Sequence, residues 1–349
     1  MTTDPVRASA GRIAGVDIAR GIAILGMFVA HTMPRDGDVE LVVDGRSSLL
    51  FATLAGVSLG LLTGGEHPHD RSRRGRDRRM VLMRALLIFL LGVLLATLDS
   101  GVAVILDYYA FMFALLIPLV FLPRSVLAAI AAVLLVGAPL LADLAGRAQS
   151  SDDSVVGVLQ DYLLTGTYPA LVWLPVLLAG LIAARSGMDR RRTQLWLIGG
   201  GVTAAVLGYG AAAVLPGVTA EAHSATTAEI LGSGGTALAV IGLVVLVTTG
   251  GGASHWVRTV LWPVGAAGAL ALTVYTVQIL ALAMVAHAVD SGGPDYPGWP
   301  LLIGLTLASL LGASVWRLLF GRGPLERLLS LASGPRDVGP TRPGVPPQP

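Results

Sequence analysis

Long apolar segments recur along the whole chain and constrain its fold more than any other feature. They are about 20 residues long, the length that a helix needs to cross roughly 30 Å of hydrocarbon. We predict ten such spans, at residues 15–33, 47–64, 81–98, 102–122, 125–145, 166–184, 195–215, 228–249, 263–286 and 300–320. The segments lack the alternation of polar and apolar positions that marks the strands of a membrane barrel. The sequence therefore predicts an all-α fold, a polytopic transmembrane helical bundle.

The composition supports this fold and excludes several kinds of chemistry. Hydrophobic residues make up 54% of the chain and charged residues 13%, about half the charged share of an ordinary soluble domain. The absence of cysteine excludes disulfides, thiol catalysis and thiolate metal sites. The absence of lysine excludes a Walker phosphate-binding loop. We predict no bound cofactor and no metal.

The distribution of charge predicts how the bundle is oriented. With ten spans, one set of arginines falls on a single side: Arg71, Arg73, Arg74, Arg76, Arg78, Arg79, Arg124, Arg185, Arg190, Arg191, Arg192, Arg258, Arg317, Arg322 and Arg327. The opposite loops carry acidic residues: Asp36, Asp38, Glu40, Asp99, Asp152, Asp153, Glu221, Asp290 and Asp295. Because positive charge is retained in the cytoplasm, we predict that both termini are cytoplasmic. The arginine clusters then reflect topology and not a nucleic-acid partner.

The ends of the chain differ from its centre. We interpret residues 1–14 as a cytoplasmic segment, residues 15–332 as one transmembrane domain and residues 333–349 as a disordered tail rich in proline and glycine. A cleaved signal peptide is not expected. No small-residue cleavage site follows Met33, and Arg20 interrupts the first apolar segment.

The first span carries three ionisable residues on one stripe. At 100° per residue, Arg20 and His31 differ by about 20° around the helix axis and by about 16 Å along it, and Asp17 lies about 60° to the other side of Arg20. Such a stripe must face protein or water, because charges that face lipid are costly. Asp17 and Arg20 can pair at this spacing. The pair either fixes helix packing or serves a substrate, and His31 either caps the outer helix end or acts chemically.

Other polar residues are candidates for the same interior. Asp107 needs a partner in its apolar segment, Tyr275 and Gln278 are three positions apart in span nine, and Arg46 lies at the outer end of span two. His223 precedes Ser224 on the outer side, and His287 lies at the outer end of span nine. For each of these residues, packing and function remain alternatives. The stretch Glu66–Asp70 (EHPHD) contains two histidines without a third ligand, which is weak evidence for zinc, and we interpret it as a solvated loop.

Five motifs in order resemble a known family. They are RIAGVDIARGIAILGMFVAH (12–31), LFATLAGVSLGL (50–61), TGTYPALVWLPVLLAGLIAAR (165–185), LALTVYTVQ (270–278) and GRGPLERLL (321–329). The chain resembles the transmembrane acyltransferase superfamily, and most closely its bacterial YeiB-like branch, which is related to heparan-alpha-glucosaminide N-acetyltransferase. The superfamily pairs an arginine with a histidine eleven positions later on the first helix, as Arg20 and His31 do. Many members of the branch carry Asn at the position of His31, and this is a departure.

The resemblance implies a membrane acyltransferase in the bacterial plasma (inner) membrane. An acyl group would pass from cytoplasmic acyl-CoA, the co-substrate, to an extracytoplasmic glycan or lipid-linked acceptor. The relation to heparan-alpha-glucosaminide N-acetyltransferase implies that this group is acetyl. His31 and His223 are then the candidate catalytic residues. The candidate substrate-binding residues are Asp17, Arg20, Arg46, Asp107, Tyr275 and Gln278. A transporter or exporter of a small anionic or amphipathic molecule is the alternative, because it accounts for buried charges equally well.

Overall fold

The computed structural model describes residues 13–33, 40–148, 154–293 and 296–332. Pro34, which we predict to end the first span, lies outside these residues, as do residues 1–12 and the predicted tail 333–349. The acidic positions Asp36, Asp38, Asp152, Asp153 and Asp295 also lie outside them.

Helices form all the regular structure in the described residues. They are α1 (Ala14–Thr32), α2 (Arg46–Leu62), α3 (Arg71–Ala96), α4 (Leu106–Leu119), α5 (Arg124–Ala148), α6 (Val155–Gln160), α7 (Ala170–Arg185), α8 (Arg191–Val214), α9 (Thr227–Thr248), α10 (Ala253–Val260), α11 (Trp262–Ala269), α12 (Ala271–Asp290), α13 (Gly298–Phe320) and α14 (Pro324–Ala332). A π-helical turn, Asp161–Thr165, continues α6. The all-α prediction is confirmed.

Many of these helices are suited to a membrane. In the described ranges, seven are long and apolar enough to cross one: α1, α3, α5, α8, α9, α12 and α13. An eighth span results if α6 with its π turn and α7, which are bent by 43°, are taken together. The shorter apolar helices α2 and α4 coincide with two further predicted spans. The protein is therefore a multi-pass membrane protein, whereas the count of ten and the cytoplasmic termini remain predictions.

The arginine run after α2 is helical and not a loop. α3 begins at Arg71, well before the predicted start of span three at residue 81. Arginine is a good helix former. Asp77, within the run, is buried, and its Oδ2 lies 2.9 Å from Nδ1 of His69, which anchors this part of the helix. The predicted span thus continues past the apolar stretch as a charged extension.

The predicted ninth span is divided at Leu270. α11 ends at Ala269 and α12 begins at Ala271, so the single helix expected over 263–286 is two helices. The break exposes the first N–H groups of α12, which have no partner within the helix. The carboxylate of Glu326, on α14, accepts from Leu272 N at 2.8 Å and Thr273 N at 3.1 Å. A distant carboxylate thus stabilises the interruption.

α1 lies at the centre of the bundle, against α2, α9, α11, α12 and α13. It crosses α11 at very short range. A Cβ atom on Gly268 would lie 1.9 Å from the Asp17 carbonyl oxygen, and one on Gly21 would lie 2.1 Å from the Val264 carbonyl oxygen. Only glycine allows this approach, which brings the polar residues of α1 beside backbone carbonyls of α11.

Candidate functional site

Arg20 lies near the N-terminal end of α1, where residues of α1, α2 and α11 bind its guanidinium group. Its Nη1 donates to Asp17 Oδ1 at 3.2 Å and to the Gly268 carbonyl oxygen at 3.1 Å, and its Nη2 donates to Ser58 Oγ at 2.7 Å. The predicted Asp17–Arg20 pair is therefore confirmed. Ser58 of the LFATLAGVSLGL motif thus binds the guanidinium, while Gly56 and Gly60 of the same motif pack closely against α7.

A second arginine, Arg317, lies beside Asp17 and Arg20, and we call these three residues the inner cluster. Arg317, on α13, places Nη2 3.8 Å from Asp17 Oδ2 and donates from Nη1 to the Gly265 carbonyl oxygen at 2.9 Å. Asp17 is 4% exposed, while the side chains of Arg20 and Arg317 are 19% and 26% exposed. The polar stripe therefore faces protein, as its cost in lipid requires. The three side chains carry one net positive charge.

His31 contacts α12 at the other end of α1. Nε2 of Gln278 lies 2.8 Å from Nδ1 of His31 and 3.5 Å from the Met27 carbonyl oxygen. The hydroxyl of Tyr296 donates to the His31 carbonyl oxygen at 3.1 Å. Gln278 is fully buried, whereas His31 is partly exposed. The imidazole thus bridges the protein interior and an accessible surface.

The orientation of the Gln278 amide determines which ring nitrogen of His31 is basic. With the amide nitrogen donating to Nδ1, the neutral ring carries its proton on Nε2. The amide oxygen Oε1 is then buried without a hydrogen-bond partner. Turning the amide by half a rotation would let Oε1 accept from Nδ1–H and leave Nε2 as the basic nitrogen. The two orientations differ little in shape, because the nitrogen and oxygen of an amide are similar in size.

His223 lies in a separate cluster of aromatic and acidic residues. Its ring stacks on Trp173, with ring centres 6.0 Å apart, and meets Tyr168 edge-on at 5.0 Å. The fully buried carboxylate of Glu229 accepts from His223 N at 2.7 Å and from Ala225 N at 2.8 Å. These bonds hold the loop in a left-handed conformation, with φ of +62° at His223. Glu229 was not among the predicted site residues.

The remaining candidates pack against other helices. The Arg46 guanidinium lies 4.9 Å from the ring centre of Tyr209 on α8. Asp107 accepts from the hydroxyl of Tyr162 at 2.9 Å, so its expected partner exists. The hydroxyl of Tyr275 accepts from Ile105 N at 3.2 Å, next to the start of α4. These contacts place the three side chains in the packing between segments, and their substrate role stays a prediction.

The EHPHD stretch is tied to its neighbours. His69 contacts Asp77, and Glu66 forms an ion pair with Arg190 at the start of α8. Across the described parts of the chain, no group of three or more metal-ligating side chains occurs.

Two protein-family models match this chain. The model described as heparan-alpha-glucosaminide N-acetyltransferase, catalytic, matches residues 12–211. The model described as a protein of unknown function (DUF418) matches residues 176–334. The first match covers more than half of the chain and includes the Asp17, Arg20 and His31 stripe, whereas the second includes Gln278 and Arg317. No curated protein and no solved structure matches.

Proposed function

Because the chain belongs to the family of the heparan-alpha-glucosaminide N-acetyltransferase catalytic domain, we propose that it is an integral membrane acyltransferase. The acyl group, acetyl in our proposal, moves from cytoplasmic acyl-CoA to a hydroxyl or amine of an extracytoplasmic glycan or lipid-linked acceptor. The observation that carries the proposal is the arrangement along α1: a cationic cluster at one end and a partly exposed histidine, held by a buried amide, at the other. The membrane is the bacterial plasma (inner) membrane, by resemblance to the YeiB-like branch.

The inner cluster suits the donor's phosphates. Arg20 and Arg317 both lie within 4 Å of the Asp17 carboxylate, and two guanidinium groups this close together favour a nearby anion electrostatically. The backbone and Ser58 contacts fix Arg20 before a ligand arrives, which lowers the entropy cost of binding. The exposed arginines at the start of α3 add an attractive field on the same predicted side.

The outer histidine suits the transfer step. The acceptor oxygen or nitrogen attacks the thioester carbonyl carbon, a new ester or amide bond forms, and the carbon–sulfur bond breaks. The acceptor loses a proton and the departing thiolate of CoA gains one. His31 takes that proton on Nε2 and delivers it to the thiolate, with Gln278 turned so that Oε1 accepts from Nδ1–H. About 16 Å of helix separates Arg20 from His31, a distance that the extended pantetheine arm of CoA covers.

Transport without covalent change is the second candidate. Interrupted helices are frequent at the substrate sites of secondary transporters, and the break at Leu270 lies beside the Arg20 cluster through Gly268. Here, however, Glu326 already occupies the freed N–H groups of α12. This favours a structural break over an open anion site.

One experiment separates the two candidates. Purified protein is reconstituted into liposomes and offered acyl-CoA labelled on the acyl group, with a mixed glycan and lipid extract as acceptor. Acyl transfer predicts label in a product together with free CoA in stoichiometric amounts. Vesicles without protein are the control for uncatalysed transfer. Label that crosses the membrane while still attached to CoA, with no free thiol, would instead support transport.

A further inference from the structure

A long groove runs along α8 on the outside of the bundle. Its volume is about 890 Å³, which lies within the range of about 300–1,000 Å³ typical of ligand sites. Gly199 and Gly200 form part of its floor, and Leu231 of α9 forms part of one wall. No atom lies within 4 Å of where a Cβ would sit on either glycine. The two glycines therefore leave open space along this face of α8.

The groove faces away from the protein. Among the helices of the described residues, α8 packs extensively on α9 and makes only weak contacts with the others. Gly201 and Gly208 fix that packing, because a Cβ on them would lie 2.6 Å from Ala239 N and 2.3 Å from Gly232 N. The opposite face of α8 is thus presented outward, to the acyl chains of the bilayer in a membrane-spanning helix.

Positive charge marks one end of the groove. Arg191 and Arg192 line it at the first turn of α8, and both are exposed. Within the described residues, neither side chain has an ion pair or hydrogen bond. Trp196, 69% exposed, lies one turn further along, as is typical of a tryptophan at a membrane interface. The remainder of the lining is apolar apart from Thr203.

We propose that this groove binds one anionic diacyl phospholipid. Its phosphate contacts Arg191 and Arg192, and one acyl chain lies over Gly199 and Gly200 towards Leu207. Arg191 and Leu207 are about 24 Å apart along the helix, which matches an extended fatty acyl chain. Basic pockets between membrane helices bind phospholipid headgroups in this manner.

A second copy of the chain fits the groove less well. Two copies in one membrane share the same orientation, so a twofold dimer through α8 would bring the Arg191 and Arg192 pairs of both copies together. Like charges in that position oppose association. The glycine floor alone would suit either occupant, and the charge at its end decides in favour of the lipid.

Native mass spectrometry on protein released from nanodiscs tests the proposal. The nanodiscs contain phosphatidylglycerol and phosphatidylcholine in equal amounts. We expect the parent to retain one phosphatidylglycerol in preference to phosphatidylcholine. The Arg191→Gln/Arg192→Gln variant should lose at least tenfold in that preference, and Gly199→Leu/Gly200→Leu, which fills the floor, should lose retention of either lipid.

The control is Arg71→Gln/Arg79→Gln, which removes the same charge from exposed positions on α3 and should retain the lipid. Equal retention in the parent and the two groove variants would overturn the proposal, as would equal retention of the two lipids by the parent. A dimer of the parent that only the groove variants disrupt would assign the groove to a second copy instead. If a groove variant does not purify, quenching of tryptophan fluorescence by bromine-labelled phosphatidylglycerol is compared with quenching by bromine-labelled phosphatidylcholine at the same mole fraction. The part of the quenching that Trp196→Phe removes should be larger with phosphatidylglycerol, and equal values for the two lipids would contradict the proposal.

Discussion

Gln278 and His31 are 247 positions apart in the sequence, yet the amide nitrogen of Gln278 lies 2.8 Å from Nδ1 of the His31 ring. The amide is fully buried and the ring is partly exposed. The contact therefore makes the protonation of an accessible histidine depend on a residue that solvent does not reach. This relationship gives the first prediction.

Replacing Gln278 should change catalysis according to what the new side chain offers to Nδ1 of His31. Gln278→Glu supplies a carboxylate oxygen that accepts from Nδ1–H and leaves Nε2 basic, so we expect transfer to continue. Gln278→Leu has a similar volume and offers no acceptor, so we expect kcat to fall about 100-fold or more. Steady-state rates with labelled acyl-CoA measure both.

The binding of donor is the internal control, because Gln278 lies far from the inner cluster. Both variants should bind a non-hydrolysable acyl-CoA analogue as the parent does. Equal kcat values for Gln278→Leu and the parent would show that the amide does not set the state of His31.

His31 itself should be required for transfer and not for donor binding. His31→Ala removes the proposed base and should lower the rate by about 100- to 10,000-fold. His31→Asn keeps much of the size and hydrogen bonding but cannot take up a proton near neutral pH. Transfer by His31→Asn at the parental rate would exclude His31 as the base, and His223→Ala and His287→Ala would then be the variants to measure.

Arg20 should serve donor binding. Loss of a hydrogen bond to a charged group costs about 1.5–3 kcal/mol, so Arg20→Gln should weaken binding of the acyl-CoA analogue by about 10- to 100-fold. Isothermal titration calorimetry in detergent micelles measures the dissociation constant of the analogue. Arg147→Gln, at an exposed position on α5, is the matched control and should bind within about twofold of the parent. Unchanged affinity in Arg20→Gln would return Arg20 to a packing role.

The crossing of α1 and α11 should tolerate no side chain at Gly268. A Cβ there meets backbone at 1.9 Å and 2.4 Å, and overpacking of this kind costs about 1–3 kcal/mol. Gly268→Ala should therefore lower the thermal midpoint in micelles. Gly210→Ala is the control, because its Cβ meets nothing within 4 Å and alanine is the better helix former. A parental midpoint in Gly268→Ala would contradict the close approach.

The predicted orientation can be tested without background, because the chain has no cysteine. Ser72→Cys lies on the exposed start of α3, and Glu221→Cys lies in the exposed loop before α9. An impermeant thiol reagent added to intact cells should label only Glu221→Cys. Labelling of Ser72→Cys in intact cells would contradict the predicted topology and would indicate the reverse orientation.

Local geometry made part of the site predictable. The Asp17–Arg20 pair follows from helical periodicity, and the cost of charge in lipid requires the stripe to face protein; both are found. The apolar segments likewise fixed where the helices lie. These inferences depend only on neighbouring positions or on the solvent that surrounds a helix.

Contacts between distant parts of the chain were not predictable. Nothing in one sequence indicates that Arg317 reaches Asp17, or that Gln278 reaches His31. The break at Leu270 differs from the prediction because its neighbours are apolar and the carboxylate that caps α12, from Glu326, lies on another helix. The helical start of α3 was missed because charge was interpreted as a loop, although arginine favours helices.

The cap that Glu326 places on α12 also concerns the order of synthesis. Chains grow from the N-terminus, so α12 leaves the ribosome before α13 and α14. Its first N–H groups, at Leu272 and Thr273, must wait for the last helix before they meet their carboxylate. A copy that terminates before residue 326 would contain α1, α12 and both His31 and Gln278, yet α12 would fray at its start. Completion of the polypeptide is thereby coupled to the start of α12, the helix that carries Gln278 five positions after Thr273.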